Sequence, residues 1–121
     1  MRAIIDSDVL IDYLQGVAAA KAKLARYRQP HYSVISLMEV LCGAQTDDER
    51  RAAESLLATM RRVELTETIA RRAVEVRRQH GLKLPDAIVL ACAEEEGCLL
   101  VTRNTRDFPA AHPHIRFPYT V

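Results

Sequence analysis

Three apolar residues, Ala3 to Ile5, run straight into Asp6, and Asp8 and Asp12 follow within AIIDSDVLIDYL. A carboxylate beside so apolar a run loses hydration, at a cost of several kcal/mol unless something compensates. Three more acids stand at comparable points. Glu39 follows HYSVI, Asp86 leads the apolar stretch AIVLACA, and Asp107 comes five residues past CLLVT. Several carboxylates in one pocket would also repel and raise one another's pKa. A divalent cation removes both penalties, and ligands that are all oxygen point to Mg²⁺ or Mn²⁺ rather than Zn²⁺.

Each acid also has a structural reading. Glu39 lies three residues after Ser36, which is capping-box spacing. Asp86 could complement a helix dipole, Asp8 could be an N-cap, and Asp107 could be a turn residue. Taken singly, that reading is favoured for Glu39, Asp8 and Asp107, and Asp12 is expected on the solvated outer face of its helix. Asp6 and Asp86 resist it, because apolar residues surround them in sequence. No histidine fits a general-base role. His31 and His80 fall at element edges, and His112 and His114 flank Pro113. There is no Ser/His/Asp set, no phosphate-cradling glycine loop and no cysteine nucleophile.

The elements that must position the acids alternate. RAIID (2–6) reads as a buried strand and VLIDYLQG (9–16) as a helix ending at Gly16. Residues 17–27 read as a second helix, broken by Gln29-Pro30. HYSVI (31–35) reads as a strand, and Ser36 opens the next helix with Glu39 in its first turn. Thr46 and Glu49 have capping-box spacing at the start of a helix whose stripe is Ala52, Ala53, Leu56, Leu57 and Met60. RVEL (62–65) reads as a strand, and Thr66 caps a helix stopped by His80-Gly81. Pro85 starts a helix whose first half is apolar all round, which predicts burial. CLLVT (98–102) is a strand, NTRDF a loop, and IRFPYTV holds a last short strand. Apolar strands alternating with helices argue for an α/β fold, a parallel sheet covered on both faces. In open sheets of that kind, ligands sit beyond the carboxyl ends of the strands.

The totals set bounds. A chain of 121 residues suits a single domain, taken as 1–121. Its 17 basic and 16 acidic residues leave a net charge of +1, so any electrostatic function must come from local segregation. Cys42, Cys92 and Cys98 have no metal-finger spacing. Cys42 and Cys92 lie in apolar helical patterns, where a thiol acts as a small hydrophobe. An odd cysteine count, no signal peptide and no apolar run long enough to span a bilayer predict a soluble cytoplasmic protein.

DSDVLIDYL at 6–14, Ser36 with Glu39, LPDA at 84–87 and TRNTRDF at 102–108 together resemble the PIN-domain family, and within it the VapC-type toxins. The resemblance runs from residue 2 to about 118. It implies an α/β/α sandwich with a central, mainly parallel sheet. It also implies a divalent-metal-dependent endoribonuclease that cuts structured RNA, leaves a 5′-phosphate and a 3′-hydroxyl, and is neutralised by a small antitoxin. Carried over residue by residue, the family's acidic quartet falls on Asp6, Glu39, Asp86 and Asp107. These four are the expected catalytic residues and holders of Mg²⁺ or Mn²⁺. Metal ions held by carboxylates neutralise a phosphodiester, stabilise the leaving oxygen and activate water. Ser7 stands where the family usually has Thr. Asp8 stands where it often has Asn, and capping is favoured over ligation there. Thr102 and Asn104 are expected to support the ligands.

Arg103 and Arg106 share a loop with Asp107 and are the expected phosphate contacts. Two further basic clusters, Lys21–Arg28 and Arg71–Lys83, are read as solvated faces. Val9, Leu10, Tyr13, Leu14 and Val17 form an apolar stripe whose exposed part is expected to receive the antitoxin, and the family implies a homodimer with no membrane association. The alternatives are a PIN-like binding module without catalysis and a Mg²⁺-binding phosphoacceptor domain. The intact set of four acids argues against the first. The second lacks an Asp after RVEL and a Lys after Lys83.

Overall fold

The computed structural model describes residues 2–120. Five short strands, β1 (Ala3–Ile5), β2 (His31–Ser33), β3 (Arg61–Val63), β4 (Leu99–Val101) and β5 (Ile115–Arg116), form one sheet in the order β3-β2-β1-β4-β5. Every pairing is parallel. β1 is central, and its partner β4 runs in register from Ala3–Leu99 to Ile5–Val101.

Because side chains alternate across a strand, the central strands feed two cores. Ile4 and Leu100 point to one face, which α5 (Glu67–His80) and α6 (Leu84–Glu96) cover through Ile69, Ala73, Val76 and Leu90. Ala3, Ile5 and Val101 point to the other, covered by α1 (Ser7–Leu14), α2 (Ala18–Leu24), α3 (Val34–Gly43) and α4 (Asp47–Ala58). The result is the expected α/β/α sandwich. α6 buries six residues from Ala87 to Ala93, as its apolar first half requires. Each large apolar side chain buried in this way contributes about 1.5–3 kcal/mol.

Local signals set several boundaries. Thr46 and Glu49 make the reciprocal capping box that opens α4. Thr66 caps α5, and Gly81 ends it with a positive φ of 69°, a conformation that favours glycine. Three expectations shift. HYSVI divides after Ser33, whose hydroxyl accepts from the Ser36 amide at 3.1 Å and caps α3. Glu39 therefore lies beyond the first turn and has no capping task. The helix expected over 17–27 shortens to Ala18–Leu24. Cys42 is exposed on α3, whereas Cys92 and Cys98 are buried as small hydrophobes. Burial pushes the Cys92 thiol up to about 11.

Candidate active site

All strands point the same way, so their carboxyl ends share one edge, and the acids collect there. Asp6 continues β1 by donating its amide to Val101 at 2.9 Å. Its side chain N-caps α1. One carboxylate oxygen accepts from the Ser7 amide at 2.8 Å, and the other accepts from the Thr102 hydroxyl at 2.8 Å. Asp6 is only 6% exposed. Burial first, then the charges of Asp8 and Glu39, raise its pKa to about 7 against the hydrogen bonds from Thr102 and Ser7.

The other acids reach the edge from separate elements. Glu39, on α3, accepts a hydrogen bond from the Ser7 hydroxyl at 2.9 Å. Asp86 sits in the first turn of α6, beside Pro85. Its pKa is raised by burial and then by Asp107, Glu39 and Asp8, with Lys83 opposing. Asp107 accepts from the Asn104 side-chain amide at 3.0 Å and returns its backbone amide to that side chain at 3.1 Å. Asp6, Glu39, Asp86 and Asp107, separated by up to 101 residues of chain, thus act on one another through space.

Among the described residues, no three His, Cys, Asp or Glu side chains converge tightly enough to enclose an ion by themselves. The donors at the edge are nevertheless all oxygen. Two of them, Asp6 and Asp86, are raised in pKa by burial first and then by neighbouring carboxylates, a pairing of desolvation and like charge that a bound cation would relieve.

The structure revises the roles of several nearby residues. Asp6, not Asp8, caps α1. Asp8 instead takes the Arg103 amide on both oxygens, at 3.3 and 3.2 Å, and pins the loop after β4 to α1. Burial raises its pKa. Asp12 is not solvated. It is 5% exposed and holds the Arg103 guanidinium at 2.6 and 3.1 Å, while Tyr119 donates to it at 2.9 Å. Asp12 lies four residues from Asp8, hence on the same helix face. That spacing could have revealed its inward aim; nothing in the tail pointed to Tyr119.

Arg103 is therefore clamped to Asp12 and not free for a phosphate, whereas Arg106 is exposed and pairs with no carboxylate among the described residues. Thr102 is fully buried and accepts from the Asn104 amide at 3.1 Å while donating to Asp6.

The apolar stripe narrows as well. Val9 and Leu10 are fully buried in the core and offer nothing to a partner. Tyr13, Leu14 and Val17 are half-buried. Leu14 joins Ile11, Val40 and Ala52 along a groove of about 140 Å³ between α1, α3 and α4.

The PIN domain family model matches residues 3–112. The chain is 40% identical over 114 residues to ribonuclease VapC10 of Mycobacterium tuberculosis, covering 88% of this chain and 85% of that one. A toxin-antitoxin complex from Klebsiella pneumoniae contains a chain with 38% identity and a TM-score of 0.92, matched over 98% of this chain and 99% of that one. VapBC2 from Rickettsia felis, bound to a DNA fragment from its promoter, shares the fold at 16% identity with a TM-score of 0.81, over 95% and 96% of the two chains. With those similarities set beside the acids at the carboxyl edge, the chain belongs to the PIN-domain family, within its VapC-type branch.

Proposed function

We propose that residues 1–121 form one nuclease domain, a divalent-metal-dependent endoribonuclease that serves as the toxin of a toxin–antitoxin pair. One observation carries this reading. Beyond the effect of burial, the charge of Glu39 raises the pKa of both Asp6 and Asp86, and that of Asp107 raises Asp86, at the carboxyl edge of a parallel sheet.

Asp6, Glu39, Asp86 and Asp107 would hold Mg²⁺ or Mn²⁺. Because they do not enclose an ion by themselves, the fitting ion is one that keeps several waters and takes only one or two carboxylates, as Mg²⁺ does. Such an ion supplies charge neutralisation and a water of lowered pKa. The chain's own residues set the stage. Thr102 and the Ser7 amide fix both oxygens of Asp6. Ser7 orients Glu39, and Asn104 orients Asp107. Asp8 and Asp12 act through Arg103, which positions the loop. Arg106 is the phosphate contact from this loop.

The groove beside Leu14 suits an apolar antitoxin segment, and the relatives that assemble as toxin–antitoxin complexes support a partner of that kind. A homodimer and a cytoplasmic setting complete the reading. Among the described residues no helix is long and apolar enough to cross a membrane.

The decisive assay incubates the purified chain with total RNA in Mg²⁺, in Mn²⁺ and in EDTA. Cleavage is expected only with metal, and neither Asp6→Asn nor Asp86→Asn should support it. Metal-independent cutting, or cutting retained by both variants, overturns the proposal.

A further inference from the structure

The opposite edge of the sheet has the opposite character. Arg2 precedes β1, Arg61 opens β3, and Arg26 and Arg28 lie between α2 and β2. The parallel register that sets Ile4 beside His31 and His31 beside Arg61 brings these separate stretches together. With Tyr27 and His31, the four arginines line an open pocket of about 480 Å³, and no carboxylate lines it. All four are exposed. Lys23 adds a further positive charge, its ammonium lying 5.5 Å from the centre of the Tyr27 ring.

Of the ten arginines outside the basin, six are matched to acids among the described residues. Arg51, Arg62, Arg71, Arg72, Arg78 and Arg103 each pair with an acid. Among the described residues, none of the four in this basin does. A backbone carbonyl holds the Arg2 side chain, and a main-chain bond fixes the position of Arg61. Arg2 donates to the Glu96 carbonyl at 2.6 Å, and the Arg61 amide donates to Pro30 at 3.0 Å. Like charges held together without counter-charge favour an anionic ligand.

We infer that this amino-edge basin is a second binding site, for the backbone phosphates of RNA; the choice of RNA rests on the ribonuclease reading above. Guanidinium forks match phosphate oxygens in pairs. Four forks spread around an open basin suit successive phosphates along a strand better than one small anion. An acidic peptide would meet the same charge, but no large aliphatic side chain lines the basin to anchor it. The two edges are close. A strand of three residues rises about 10 Å, so an RNA longer than its cut site can touch both.

The test measures anisotropy of a fluorescent tRNA-sized RNA in EDTA, where binding is read without cleavage. Three proteins are compared over a salt series: wild type, Arg26→Ala/Arg28→Ala/Arg61→Ala, and an equal-charge control, Arg50→Ala/Arg71→Ala/Arg78→Ala. The basin variant should lose about tenfold or more in affinity, and its log–log salt slope should fall by about 2 to 3. The control should stay within about twofold of wild type. Single substitutions in the basin should each lower the slope by about 1, which keeps the test open if the triple variant folds poorly.

Equal losses in basin and control variants overturn the inference, as does tighter basin-dependent binding of a polyglutamate probe than of RNA. In Mg²⁺, cleavage of an oligonucleotide only a few residues long should be unchanged by the basin substitutions; a matching loss there also overturns it. If wild type cleaves nothing at all, the ribonuclease reading fails alone, and the anisotropy comparison still decides the basin.

Discussion

The two edges of the sheet are built from the same strands and differ in almost everything else. At the carboxyl edge, Asp6 is buried and Asp86 half-buried, and both are raised in pKa by burial first and then by neighbouring acids. At the amino edge, the arginines are exposed and form no ion pair with an acid among the described residues. A net charge of +1 conceals this polarity. A parallel sheet makes such separation simple, because it sends every strand start to one side and every strand end to the other.

The sharpest way to break the contrast is to neutralise the acidic edge. Asp6→Asn or Asp86→Asn should reduce RNA cleavage in Mg²⁺ by roughly 10²–10³-fold, read as initial rates. Next comes the clamp that holds the loop beside those acids. Arg103→Ala leaves Asp12 buried without its charge partner and should destabilise the fold by about 3 kcal/mol in denaturant titrations. Arg103→Lys should recover only part of that, since an ammonium cannot reproduce the two-pronged contact.

The raised pKa of Asp6 gives a smaller effect with a definite sign. Its folded value of about 7 lies above the ordinary 3.8. The stabilisation from its neutral form is complete below about pH 4 and disappears as pH climbs through 7. In EDTA, Tm should therefore fall over that window. Asp6→Asn should flatten the fall and melt roughly 4 °C or more above wild type at pH 8. A steady Tm across the window would show that Asp6 is not held in this way. The smallest expected change comes from Thr102→Val, which removes the hydroxyl that steadies Asp6. It should cost about 1 kcal/mol of stability and about tenfold in cleavage, with Thr102→Ser close to wild type.

Much of this was legible in residue order. Apolar AII, LLV and the all-round apolar α6 announce a covered parallel sheet, and Thr46, Thr66 and Gly81 mark helix ends because caps are local chemistry. Asp6, Glu39, Asp86 and Asp107 were legible as candidates, but their meeting depends on tertiary packing. What stayed hidden is the chemistry of partners far apart in the chain. Asp12 seemed solvated because its partners, Arg103 and Tyr119, lie 91 and 107 residues away. Val9 and Leu10 could not be told from a docking stripe, since a core face and a binding face have the same period. Arg26 and Arg28 read as ordinary surface charge until strand register set them around one basin with Arg2 and Arg61.

The position of Cys42 has a practical consequence. It lies one helical turn from Glu39 on α3, and its thiol is exposed while those of Cys92 and Cys98 are buried. A maleimide dye should therefore attach there selectively in the unaltered chain. The protein thus carries a native handle for spectroscopy within one helical turn of a candidate metal ligand.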